Sequence, residues 1–276
     1  MHFGAIDPLV LASLATSIRA AKPDMVVVSG DLTQRARNSQ FRAARDFLAT
    51  LPFPQLVVPG NHDVPFYNIA MRAFSPLSRY QRFFGTNMTP FFADREIAIV
   101  GVNTARALAF KDGRINRAQM AGVSQHLRHL DANVTRIVVT HHPCEGPLAQ
   151  PLHGRIGRAA MAMASFSACG IDLVLSGHLH AGKTGLSAEH YDTGGYSALM
   201  VQAGTATSHR RRGQTNSFNM IHVKRPRLTV QRWNWDAGKA DFVAAAGEGF
   251  QKIAGLWQPW PCGEMLAEAE GLDRLG

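Results

Sequence analysis

The chain has 276 residues, of which 46% are hydrophobic and 18% charged; this balance excludes a disordered or collagen-like polymer and suffices for a sizeable core. Its 29 Lys+Arg against 20 Asp+Glu leave a net charge of +9, which draws it towards polyanions such as nucleotides, nucleic acid or an anionic bilayer. Three cysteines (Cys144, Cys169 and Cys262), none at C-x-x-C spacing, exclude a disulfide framework. With no apolar run of ~18–20 residues and no basic stretch leading into an apolar one, the expectation is a cytoplasmic protein without a signal peptide.

In chain order, Asp7-Pro8 caps a helix that places Leu11, Leu14 and Ile18 on one face and ends before Pro23. Met25 to Val28 follows as a strand apolar on both faces, as in a buried parallel sheet. Phe41 to Leu51 reads as a helix and Leu56 to Val58 as a strand. Further strands are expected at 97–102, 137–140 and 171–175, with helices near 117–130 and 156–168. This alternation predicts an α/β fold. Beyond Ser197 the pattern changes to antiparallel strands: 197–203, 217–223 and 228–235 should form a meander with Pro226 at the last turn. Residues 1–235 read as one domain and 236–276 as a tail packed on it.

Four of these strands run directly into polar side chains. Val28-Ser29 leads to Gly30-Asp31, and Val58-Pro59 to Gly60-Asn61-His62-Asp63. Val139-Thr140 leads to His141-His142, and Leu175-Ser176 to Gly177-His178-Leu179-His180. Ligands of open parallel sheets bind beyond the carboxyl ends of the strands, so these residues should converge on one site. Any one of the segments alone is an ordinary turn; four in succession point to a common centre. Mixed nitrogen and oxygen donors suit Mn, Fe or Zn better than Mg or Ca, and a shared carboxylate can hold two cations about 3.5–4 Å apart.

The order of these residues resembles the calcineurin-like metallophosphoesterase family, from His2 through His180. The resemblance implies a mixed β-sandwich flanked by helices, with two divalent transition-metal ions as cofactors. Asp31 would bridge both metals, His2 and His180 would bind the first, and Asn61, His141 and His178 the second. His141 is taken as the ligand of the adjacent pair because it comes first after the strand; His142 then points elsewhere. His62 would stand over the phosphate as general acid or charge stabiliser. Asp63 either orients His62 or serves the turn. The implied reaction is hydrolysis of a phosphate ester by hydroxide formed between the two metals.

The first family motif is incomplete here. Met1-His2-Phe3-Gly4 matches the end of a Ser-Asp-x-His-Phe-Gly segment, so the motif's Asp and the strand bearing it are absent from this chain. That strand is central in the family, and its loss should expose apolar faces and backbone donors on both neighbours. Either the natural chain extends upstream, the reading favoured here, or the first metal site is weakened. The 276-residue chain is then expected to be poorly soluble or nearly inactive, and an upstream extension to rescue it.

Gln34 stands where the family's protein phosphatases carry a second Asp, which argues against a Ser/Thr phosphatase. Gly30-Asp31-Leu32-Thr33 is more similar to the bacterial phosphodiesterase branch, which includes class III cyclic-nucleotide phosphodiesterases and phospholipid-cleaving enzymes. Arg210, Arg211 and Arg212 suit bidentate contact with a second phosphate, a nucleotide or a lipid headgroup. With Lys224-Arg225-Pro226-Arg227 and Trp233, Trp235, Trp257 and Trp260, they would seat the protein peripherally on an anionic membrane, although Trp233 and Trp235 share a strand face that suits a core. The expected partner is a phosphate-ester substrate, a cyclic nucleotide or phospholipid headgroup. No specific nucleic acid is expected, because no aromatic-basic stacking platform is evident. A non-catalytic module that keeps one metal is the alternative that the incomplete first motif allows.

Overall fold

The computed structural model describes residues 1–107, 112–146, 154–209 and 213–261. Helix α1 (Pro8–Ala20) begins where the Asp7 carboxylate accepts from the Leu9 and Val10 N–H groups, a side-chain cap for donors without helical partners. It is followed by β1 (Val26–Val28), α2 (Asn38–Leu48) and β2 (Gln55–Val57). A short 3-10 turn at Asn61–Asp63 then leads into α3 (Ile69–Phe74) and α4 (Ser78–Phe84). The middle of the chain supplies β3 (Phe91–Ala93), β4 (Ile97–Val102), α5 (Arg117–Leu127), β5 (Thr135–Thr140), α6 (Ala159–Cys169), β6 (Leu173–Ser176), β7 (Lys183–Leu186) and β8 (Leu199–Gln202). The last strands are β9 (Ser217–Lys224), β10 (Arg227–Asp236), β11 (Asp241–Ile253) and β12 (Leu256–Trp260).

A six-stranded sheet runs in the order β3-β4-β5-β6-β8-β7, with β4, β5, β6 and β8 parallel and the two edge strands antiparallel. Alternation along β4 sorts its residues by face. Ala98, Val100 and Val102 join Val138, Val174 and Met200 under α5 and α6, while Ile99 joins Ile137, Leu173 and Val201 on the opposite face. That second face packs on Leu56 and on Leu228, Val230, Phe250 and Trp257 of the β12-β11-β10-β9 antiparallel sheet. The architecture is a mixed β-sandwich flanked by helices. Buried Asp172 ties its layers together, accepting from Arg225 Nη1 (3.1 Å), Lys252 Nζ (2.5 Å) and Trp257 Nε1 (3.2 Å).

Two sequence expectations change here. The strand at 197–203 does not belong to the meander: β8 pairs parallel with β6, and all four of its residues are buried, as an interior strand requires. Residues 241–260 form β11 and β12, which complete the antiparallel sheet, where the sequence reading placed a tail.

Among the described residues, β1 pairs only with β2, and β9 is an edge of its sheet. Between them lies a cavity of about 470 Å³. It touches consecutive residues of both strands, 25–30 and 217–223. Successive side chains of a strand point to opposite faces, so contact with an unbroken run means that the strand edges face the cavity. Its other walls include Ile97, Ile99, Ile137, Leu173 and Leu175, and Leu14 and Ile18 of α1. The three valines of β1 are only half-buried. Apolar side chains thus stand beside strand edges left unpaired among the described residues.

Candidate metal centre

The carboxyl ends of the strands meet at one end of this cavity. His2 is held there by a short run of parallel pairing: the His2 and Phe3 N–H groups donate to the Asp31 and Leu32 carbonyls, each at 2.8 Å. Asp31 follows β1, Asn61 follows β2, His141 and His142 follow β5, and His178 and His180 follow β6. Gly60 is required by close approach, because a Cβ there would collide with the Asp31 carboxylate. Four of the gathered residues adopt the left-handed backbone region that favours glycine: His2 (φ 65°), Asp31 (52°), His178 (72°) and His180 (60°).

Two groups of potential ligands result, each with its ligand atoms within 4.8 Å of one another: His2, Asp31 and His180, and His141, His142 and His178. Asp31 Oδ2 lies 3.1 Å from His2 Nε2 and 3.4 Å from His141 Nε2, so it faces both groups. Asn61 Oδ1 lies 3.1 Å from both His141 Nε2 and His178 Nδ1. A cation about 2.0–2.2 Å from each N or O ligand holds neighbouring ligand atoms about 3–3.5 Å apart, so the spacing fits metal ions. The nitrogen and oxygen donors suit a transition metal.

The surroundings of the rings fit as well. His141 Nδ1 sits 2.7 Å from the Ser29 carbonyl, an acceptor that fixes the proton on Nδ1 and turns the Nε2 lone pair inward. Thr205 Oγ1 lies 2.7 Å from His180 Nδ1, and Thr104 Oγ1 2.8 Å from His142 Nδ1. Among the described residues neither nitrogen of buried His2 makes a hydrogen bond; the short approach of its Nε2 to Asp31 is not aligned as one. Burial lowers the His2 pKa to about 3 against the opposing pull of Asp31, so its imidazole is neutral at pH 7. Burial alone would raise the Asp31 pKa, but the His141 and His2 rings outweigh it and hold the carboxyl well below its usual range. Burial works to lower the His141 pKa, but the Asp31 charge outweighs it and raises it, so a cation bound beside the ionised Asp31 and neutral His2 would take the place of the His141 proton.

His62 stands beside the first group, its ring centroid 5.0 Å from that of His2. Its N–H donates to Asp31 Oδ1 (2.9 Å), and its Nδ1 lies 3.0 Å from the Gln34 carbonyl. Asp63, offered by the sequence as an orienting partner for His62, is fully buried and works on the backbone. It accepts from the N–H groups of Gly60 (2.9 Å), Leu32 (3.1 Å) and Thr33 (2.8 Å), and from the Thr33 hydroxyl (2.9 Å). Burial and then the Asp31 charge raise its pKa, yet four donors aimed at its two oxygens leave no position for a proton. Asp63 therefore clamps the turn carrying Asp31 to the turn carrying Asn61.

His142 differs from expectation too. It does not point away: its ring centroid lies 4.5 Å from that of His178, within the second group. Sequence reasoning also missed Thr104 and Thr205, whose positions depend on where β4 and β8 end. Arg210, Arg211 and Arg212, proposed from the sequence as phosphate contacts, lie outside the described residues. Trp235 and Trp257 are buried, and Trp233 stacks on Phe218, so these rings form core and not a membrane-facing surface. No helix among the described residues is long and apolar enough to cross a membrane.

Comparison with known proteins agrees with this geometry. A segment is 48% identical over 42 residues to a glycerophosphodiester phosphodiesterase of Enterobacter lignolyticus, covering 15% of each chain. A longer stretch is 26% identical over 140 residues to a probable cyclic nucleotide phosphodiesterase of Synechococcus, covering 51% of this chain and 50% of that one. The matched regions thus span half or less of these relatives. Among solved structures, a dimetal phosphatase from Danio rerio superposes with a TM-score of 0.54 at 13% identity, covering 85% of this chain and 88% of the other; at that identity the likeness shows the fold alone. The profile of the Calcineurin-like phosphoesterase family matches residues 6–182, and the chain belongs to that family.

Proposed function

We propose that the protein is a metal-dependent phosphodiesterase. The observation that carries this reading is Asp31, whose carboxylate faces both groups of potential ligands while accepting from the backbone of His62. Two divalent cations bound there (Mn, Fe or Zn) would supply Lewis-acid polarisation of the phosphoryl oxygens and a nucleophile derived from water at neutral pH.

The chain's own residues do the rest. His2 and His180 would hold one cation, and Asn61, His141 and His178 the other, with Asp31 shared between them and His142 within the second group. The Gln34 carbonyl fixes the His62 ring through Nδ1, so Nε2 is the nitrogen left to pass a proton to the leaving oxygen. General acid catalysis of this kind is worth about 10²–10⁴-fold. The preference for diesters draws support from the activities named for the two similar proteins and from Gln34, which replaces a carboxylate beside His62. The deciding experiment is a panel assay with Mn²⁺ against bis-p-nitrophenyl phosphate, p-nitrophenyl phosphate, cyclic AMP and phosphatidylcholine, alongside metal analysis. Turnover of the diesters is expected. Hydrolysis of the monoester alone would overturn the diesterase reading. A protein that holds one metal and turns over nothing would instead be a binding module. His62→Ala should lower kcat by about 10²-fold or more with metal content unchanged.

A further inference from the structure

Eight large apolar side chains are exposed among the described residues, and four of them fall between Phe66 and Phe74: Phe66 (47% exposed), Tyr67 (73%), Ile69 (78%) and Phe74 (87%). Scattered apolar residues need no explanation, but four within nine residues of chain, two of them ring to ring at 5.0 Å, mark a contact surface. This one begins four residues after His62. The Arg35 guanidinium lies 5.7 Å from the Phe66 ring centroid and 5.5 Å from that of Tyr67, and Arg35 directly follows Gln34, whose carbonyl holds the His62 ring.

Charge identifies the occupant. Residues 32–48 and 64–93 carry seven arginines against one acidic residue, Asp46, which pairs with Arg45 at 2.8 Å. The two stretches form one unit, because Phe41 of α2 stacks on Phe83 of α4 at 5.8 Å and packs against Tyr80. Arg35, Arg37, Arg42 and Arg82 are exposed on it. Protruding apolar and aromatic side chains on a predominantly cationic unit suit the interface of an anionic bilayer. There the rings enter the headgroup region and the arginines meet lipid phosphates. A protein interface also gathers aromatic residues and Arg, but these arginines would then need a matching acidic face on the partner.

We propose that the Phe66–Phe74 surface, together with Arg35, docks on an anionic lipid bilayer and sets the His62 side of the centre against the membrane. Docking stands independently of catalysis; that the docked protein cleaves a lipid phosphodiester rests on the phosphodiesterase reading above.

The test is flotation of the full chain with phosphatidylcholine vesicles and with mixed phosphatidylcholine–phosphatidylglycerol vesicles at low and high salt. Binding is expected only to the mixed vesicles and should weaken with salt. An Ile69→Ser/Phe74→Ser variant should lose at least about tenfold in vesicle affinity while hydrolysing soluble bis-p-nitrophenyl phosphate at the wild-type rate. Arg35→Glu should also lose vesicle binding. No binding to the anionic vesicles, equal binding by the double variant, or concentration-dependent dimerisation through the same residues without lipid binding would each overturn the proposal. Vesicle binding by a protein that turns over no ester would uphold docking and sink only the catalytic reading.

Discussion

Asp63→Asn separates a structural carboxylate from a catalytic one. Asp63 is fully buried and receives four donors, two on each oxygen. The amide keeps one accepting oxygen and turns an N–H₂ towards the other two donors. If it faces Gly60 and Leu32, two backbone N–H groups lose a charged acceptor and meet a donor. Each such loss costs about 1.5–3 kcal/mol, so the variant should be less stable by roughly 3–6 kcal/mol. That is a large part of the ~5–15 kcal/mol that holds a folded domain, and it corresponds to a fall in Tm of roughly 10 °C. Urea unfolding of the metal-free protein, with the midpoint shift read at constant slope, measures it without interference from bound cations. A variant within about 1 kcal/mol of wild type whose kcat has dropped 100-fold would refute the clamp and make Asp63 a partner of His62.

Asp172→Ala should cost about 3–5 kcal/mol, because it strips Arg225 and Lys252 of the buried carboxylate that joins the sheets; a change under 1 kcal/mol in urea unfolding would show that water takes over its role. The Cys144 thiol, pushed up to about 12 by burial with Glu145 adding to it, should resist iodoacetamide at pH 8 in the folded protein; labelling as fast as in urea would contradict its placement. The cavity between β1 and β9 presents apolar walls and unpaired strand edges, so the 276-residue chain should enhance the fluorescence of an apolar dye and self-associate as its concentration rises. A dark, strictly monomeric solution would argue against an open cavity.

The sequence makes the strand ends legible because two local signals coincide there: an uninterrupted apolar strand, then a polar side chain, introduced by glycine everywhere except at His141. Asp31, Asn61, His141, His178 and His180 carry both signals, and the fold brings them together. Asp63 and His142 do not yield to the same reading. Asp63 acts on Leu32 and Thr33, thirty residues back in the chain, and nothing local reveals which backbone it will meet. Which of two adjacent histidines faces the centre depends on how the chain leaves β5. The long strand β11 was hidden by its alanines and glycines (Ala244-Ala245-Ala246-Gly247), weak strand formers that pairing with β10 overrides.

The left-handed backbone at His2, Asp31, His178 and His180 shapes how this site can drift. Alanine in those posts erases a donor but keeps the torsional penalty of about 1–2 kcal/mol that any side chain carries there. Glycine erases both. Mutational drift away from chemistry therefore runs downhill in stability terms, and a histidine that persists in such a posture does so against the preference of its own main chain.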